Sequence, residues 1–219
     1  MYYVITYQKY YSLFVQVGVD DGFKNQVGTT AQIEAYMNAV WTHLQTNYCH
    51  SSLGSKVKVE RLPGIKHYAG KTLKSGATGS ASLQSMYTDT VNDLGSADLM
   101  LYMGFIGTQY SQGGGIAYRG VVCTPDNWAK YKQSINCYGQ NMNAMGELLA
   151  HELGHNLGME HDFATNHGGN GNPGSGGPCD YKGFMSYGNS LSVWSECSVK
   201  DFTAHHQQWK TNWCMPGNI

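Results

Sequence analysis

The sequence predicts an α/β domain built on a twisted, mostly parallel sheet with an atypical edge, and three observations point there. Short β-rich runs alternate along the chain with segments of helical periodicity. The 219 residues suffice for one large domain with a real interior. Apolar residues make up 41% of the chain, too many for intrinsic disorder.

Taken in order, the first strand is Tyr11 to Val19 (YSLFVQVGV), an almost continuous β-rich run. A helix follows over Thr29 to Tyr48. It places Ile33, Met37, Val40, Leu44 and Tyr48 on one stripe, and Thr29 with Gln32 forms a capping box at its start. Lys56 to Leu62 alternates at period two and reads as a second strand. A helix is expected over Ser82 to Leu94, with Leu83, Met86, Tyr87 and Leu94 inward and Gly95 as its stop. Leu99 to Met103 is a compact apolar strand, and Ile116 to Val122 is expected to be another. Met142, Met145, Leu148 and Leu149 give a buried helical stripe leading into the segment discussed below. Gly168 to Gly177 (GGNGNPGSGG) is a loop, because so much glycine loses too much entropy in a regular element. Ser198 with Asp201 is a start signal for a final helix carrying Phe202, His205, Trp209 and Trp213.

Fourteen Lys and Arg balance fifteen Asp and Glu, and no basic run is present, so nucleic acid is not an expected partner. The six cysteines are scattered and form no C-x-x-C pair, which favours three disulfides and an oxidising compartment over a zinc knuckle. The longest apolar stretch, Leu99 to Ile106, is far too short to cross a bilayer. No secretory leader opens the sequence, so a mature secreted domain without membrane insertion is expected, with a monomer as the default.

Most of the chemistry lies in His151-Glu152-Leu153-Gly154-His155-Asn156-Leu157-Gly158-Met159-Glu160-His161-Asp162. On a helix, residues four apart lie about 40° apart around the axis and about 6 Å along it, so His151 and His155 can share one zinc ion. His161 is out of reach of a straight helix. Gly158 solves this if it takes positive φ, ends the helix and turns the chain back to close a three-histidine tripod. The fourth zinc position then stays open for water, and Glu152, beside the first ligand, is the expected general base. His43, His50, His67, His167, His205 and His206 show no matching pattern, and ordinary packing or surface roles are expected for them.

HELGHNLGMEH resembles the extended zinc signature of the metzincin metalloendopeptidases, and Gly183-Phe184-Met185-Ser186-Tyr187 resembles their Met-turn. Asp162 directly after the third histidine is similar to the adamalysin (reprolysin) branch, which includes snake-venom and ADAM proteases. The likeness extends over Leu99 to Cys214, through Gly115-Ile116-Ala117-Tyr118, Cys123 and Trp194-Ser195-Glu196-Cys197-Ser198.

The resemblance implies a single catalytic domain over residues 1–219. An upper subdomain (about 1–160) would face a lower one (about 161–219) that holds the Met-turn and the C-terminal helix. It implies one antiparallel edge strand, here Gly114, Gly115, Ile116 and Ala117, that pairs with an extended peptide from an extracellular protein substrate. Met185 would be a structural floor under the zinc. The family pattern also suggests Cys123–Cys214 and Cys179–Cys197 as disulfides and leaves Cys49 with Cys137, one of fifteen possible connectivities.

Two features depart from that pattern. Tyr187, two residues after Met185, is more like the astacin and serralysin branches, where such a tyrosine can stabilise the transition state; a packed aromatic is the plainer alternative. The Cys-x-x-Asn of the adamalysin calcium site is shifted by one in Cys214-Met215-Pro216-Gly217-Asn218, with Asp98 as the upstream acid, which counts against a structural calcium. The function implied is a secreted zinc endopeptidase. The alternatives are a metalloproteinase-like binding module or toxin, disfavoured by the presence of all three histidines and Glu152, and a protease of the astacin or serralysin branch, disfavoured by Asp162 and Cys197.

Overall fold

The computed structural model describes residues 11–54, 57–73, 91–105, 114–164, 167, 179, 183–187, 192–209 and 214–215. Their strands form one five-stranded sheet. β1 (Tyr11–Asp20) lies between β2 (Val57–Tyr68) and β3 (Leu99–Gly104), β5 (Gln133–Cys137) follows β3, and β4 (Gly115–Ala117) closes the edge. All pairs are parallel except β4 with β5. Both faces of β1 and β3 are covered, which explains their nearly continuous apolar runs.

Helix α1 (Asp21–Val27) leaves β1 directly. Asp20 caps it by accepting from Phe23 N at 2.7 Å, and its other oxygen accepts from Leu73 N at 2.8 Å. Helix α2 (Thr30–Tyr48) starts at Thr29 through the expected capping box, and the stripe Ile33, Met37, Val40, Leu44 and Tyr48 is buried, with Tyr36 added. It packs on helix α3 (Met142–Asn156). A Cβ on Gly146 would stand 3.0 Å from Leu44 N, so the two helices meet there almost backbone to backbone. The Tyr48 hydroxyl donates to Ala150 O at 3.0 Å, fixing the register of the crossing. Helix α4 (Glu196–Trp209) lies over the other end of α3.

Several expectations change. The strand expected over Ile116 to Val122 is only the three residues of β4. Gly120 has φ +65°, and Val121 and Val122 donate to Asn156 O instead of to a neighbouring strand. α4 begins two residues before Ser198, because Ser195 is its cap and accepts from Ser198 N at 3.0 Å. Asp201 is turned away to accept from Glu160 N at 2.9 Å. α1 and β5 were not anticipated. Of the helix expected over Ser82 to Leu94, residues 82–90 lie outside the described residues and Val91–Asp93 form a single 3₁₀ turn. The glycine-rich stretch 168–177, Trp213 and Asn218 also lie outside them.

Cys123 is bonded to Cys214 and Cys179 to Cys197. The third expected pair does not form. Cys49 is exposed at the end of α2, where it accepts from Gln45 Nε2 at 3.0 Å, whereas Cys137 is a thiol buried at the end of β5. Burial pushes the Cys137 thiol up to about 12, so it stays protonated and inert. Asp98, the acid considered for calcium, accepts from Phe14 N at 2.8 Å and ties β1 to the start of β3.

Candidate metal centre

α3 starts at Asn141, whose side chain accepts from Asn143 N and Ala144 N at 3.0 and 3.2 Å. Met145, Leu149 and Leu153 hold one face of the helix in the core. His151 and His155 leave it four residues apart toward a cleft of about 690 Å³. The helix ends in a Schellman arrangement: Gly158 N donates to His155 O and Met159 N to Gly154 O, both at 2.9 Å, with Gly158 at φ +96°. A Cβ on Gly158 would also stand 2.7 Å from the His205 Cβ, so glycine is needed for conformation and for space. The chain then reverses and brings His161 to the other two histidines.

The Nε2 atom of His161 lies 3.2 Å from that of His155 and 3.3 Å from that of His151. These contacts are not ordinary hydrogen bonds. His151 Nδ1 faces Phe184 O at 2.7 Å and His155 Nδ1 faces Met159 O at 2.8 Å. A carbonyl can only accept, so each Nδ1 carries the proton and each Nε2 presents a bare lone pair. Two such lone pairs aimed at a common point repel unless a cation stands between them. In a tetrahedral site with Zn–N near 2.05 Å, neighbouring nitrogens are about 3.3 Å apart, and the observed spacing matches. Burial, foremost, keeps the rings neutral, lowering His151 to about 4 and His155 to about 3, and lowering His161 as well. The donor set therefore fits zinc, and it is the group of His, Cys, Asp and Glu that could hold a metal among the described residues.

Glu152 is buried beside this tripod. Its Oε2 has no hydrogen-bond partner among the described residues, and burial alone pushes its carboxyl up to about 8, a rise that a cation held by the neighbouring histidines would offset. On the opposite wall, a Cβ on Gly115 would stand 2.6 Å from Glu152 Oε1, so the edge strand β4 comes close to the carboxylate. Below, Met185 is fully buried, and a Cβ on Gly154 would stand 2.6 Å from its sulfur.

The segment that contains α3 and all three histidines, residues 34–162, matches the reprolysin-like model of metallopeptidase family M12B. The chain belongs to this family. Over 110 residues it is 37% identical to disintegrin and metalloproteinase domain-containing protein 9 of Homo sapiens, covering 49% of this chain and 11% of that protein. It is 33% identical over 135 residues to zinc metalloproteinase-disintegrin-like atrase-A of Naja atra, covering 59% of this chain and 19% of that one. The chain thus spans under a fifth of the length of these relatives. A solved structure described as a chaperone–substrate complex is similar over 94% of this chain and 35% of its own, with 18% identity and a TM-score of 0.55, a likeness of fold alone.

In this reprolysin-like metallopeptidase the centre is held by two groups to which the sequence alone assigned no structural role. Asp162, fully buried, accepts from Gly183 N and Ser186 Oγ at 2.9 Å through Oδ2 and from Ser195 Oγ through Oδ1, while its own N–H donates to Met185 O at 3.0 Å. It clamps the Met185 turn to the chain just past His161. Asn156 ties the end of α3 to the sheet edge by donating to Tyr118 O at 2.8 Å and Gln133 O at 3.2 Å. The early signal for Asn156 was its place within the metal motif, and for Asp162 its likeness to the adamalysin branch.

His167 and His205, expected in ordinary roles, are both buried. His167 meets Asp201 at 2.8 Å, and His205 Nε2 donates to Val122 O at 2.9 Å behind Gly158. Tyr187 is 66% exposed, with its ring 4.7 Å from that of His161 and 5.3 Å from that of Phe163, itself 53% exposed. Both rings stand at the rim of the tripod.

Proposed function

We propose that this chain is the catalytic domain of a secreted zinc endopeptidase that cuts extended segments of extracellular proteins. His151, His155 and His161 hold the zinc, Glu152 is the general base, and Met185 is the floor beneath the ligands. The observation that carries this reading is the pairing of three imidazole nitrogens at zinc spacing with a buried carboxylate, one oxygen of which has no hydrogen-bond partner among the described residues. Zinc supplies Lewis acidity, polarising a carbonyl and acidifying water to a pKa of about 7. Glu152 takes the proton of the attacking water as its oxygen bonds to the scissile carbon, then returns that proton to the nitrogen as the C–N bond breaks. The Phe184 and Met159 carbonyls keep His151 and His155 in the tautomer that presents Nε2.

Gly114, Gly115, Ile116 and Ala117 are assigned to substrate pairing. β4 is an edge strand, antiparallel to β5, and all four residues line the cleft. We assign the upper subdomain to about 1–160 and the lower to about 161–219. We assign the phenol of Tyr187, whose exposed ring lies beside that of His161, to steadying the oxyanion that forms. Secretion rests on the two disulfides. No helix among the described residues is long and apolar enough to cross a membrane.

The test is digestion of denatured casein by the zinc-loaded protein. Cleavage should be abolished by a chelator and restored by added zinc; a chelator-insensitive rate would sink the reading. Gly115→Ala gives a sharper check, because the new methyl group must displace the Glu152 carboxylate. Its kcat/KM is expected to fall on the order of a hundredfold, with bound zinc, measured by metal analysis, unchanged at one per chain.

A further inference from the structure

The two ends of the cleft differ in charge. At one end Arg119 and Glu160 form an ion pair, and each offsets the other. At the opposite end stands Glu147, one turn of α3 before His151 and about 6 Å from it along the helix axis. Ala144 and Leu148 line the cleft beside it. Glu147 Oε1 accepts from Ser192 Oγ at 2.9 Å, a neutral donor that orients the carboxylate without cancelling its charge. Among the described residues no Lys or Arg pairs with Glu147. Apart from the histidines and the Tyr187 phenol, the ionisable lining among the described residues is therefore three carboxyl groups, Glu147, Glu152 and Glu160, against one guanidinium that is already paired.

We propose that Glu147 determines specificity by binding a lysine or arginine side chain next to the scissile bond. This rests on the endopeptidase reading above. A substrate carbonyl held at the three imidazoles places the neighbouring side chain against α3 one turn before His151. Ala144 and Leu148 then cover the methylene stem of a long basic residue. The second carboxylate oxygen of Glu147 accepts from the ammonium or guanidinium, a charge-assisted bond in a partly desolvated cleft. A neutral side chain leaves that carboxylate without a counter-charge, and an acidic one is repelled. Among the described residues Glu147 is bonded to Ser192 and is not one of the three converging ligands, so its contribution is selection and not bond cleavage.

The experiment is mass-spectrometric profiling of a peptide library randomised around the cleaved bond, run with the zinc-loaded wild type, Glu147→Gln and Glu147→Lys. The readout is the ratio of rates for basic over neutral peptides within each protein, so differences in active fraction cancel. The wild type should enrich Lys and Arg at one position beside the bond. Glu147→Gln should lower that ratio about tenfold or more, and Glu147→Lys should shift the preference to Asp and Glu. A wild-type profile without basic enrichment, or an enrichment that survives in Glu147→Gln, overturns the assignment and leaves the endopeptidase reading standing. If the wild type cuts no peptide in the library, the endopeptidase reading fails first and this inference falls with it.

Discussion

Glu152→Gln is expected to lower peptide hydrolysis about a hundredfold to ten-thousandfold while zinc content and folding persist. The amide is nearly the same size as the acid but cannot take up a proton from water. Folding should be unharmed for a reason visible in the burial: the carboxyl is enclosed, the amide has nearly its shape, and one oxygen has no partner among the described residues to lose. The melting temperature should therefore hold. Zinc should stay bound because none of the three converging nitrogens belongs to Glu152. The measurements are initial rates on a quenched fluorescent peptide, zinc stoichiometry and a thermal melt. A variant within threefold of the wild-type rate would remove Glu152 from the chemistry.

The second large effect is expected at Asp162. Truncation to Ala would strand the donors of Gly183, Ser186 and Ser195 in a buried setting. At about 1–3 kcal/mol for each buried group left unsatisfied, the loss should be on the order of 3–5 kcal/mol, read as a lower urea midpoint. Asn should rescue in part: its oxygen can keep the bond from Gly183 N, while its N–H groups face the Ser195 and Ser198 hydroxyls, which must turn from donating to accepting.

The damage should reach the metal. Asp162 anchors the turn whose Phe184 carbonyl orients His151, and outer partners of this kind alter metal affinity about tenfold to a hundredfold. Zinc competition against a chromophoric chelator measures this. Wild-type affinity in Asp162→Ala would show that the turn is held in place by something else.

The convergence of His151, His155 and His161 was the most legible part of the sequence, because a four-residue spacing and one glycine dictate geometry with few alternatives. α2 was equally plain: its stripe and capping box are local signals, and tertiary packing did not override them. β5 was hidden for the opposite reason. Gln133, Ser134 and Asn136 are polar yet wholly buried, paid for by sheet pairing and by bonds such as Asn136 Nδ2 to Ser134 Oγ at 3.1 Å, so no apolar pattern marked the strand. The start of α4 was misplaced because Ser195 and Ser198 are both plausible caps, and only the buried Asp162 carboxylate decides between them. Counting cysteines in pairs failed at Cys49 and Cys137, since an even number carries no information about which ones meet.

The partners that orient the three imidazoles have a consequence for biosynthesis. His151 leans on a carbonyl thirty-three residues further along the chain, and the turn that carries it is clamped by Asp162. A nascent polypeptide that has just cleared the ribosome through residue 161 owns all three zinc donors but not the scaffold that aims them. Metal capture should therefore await emergence of the Phe184 segment, so the centre is completed late in synthesis.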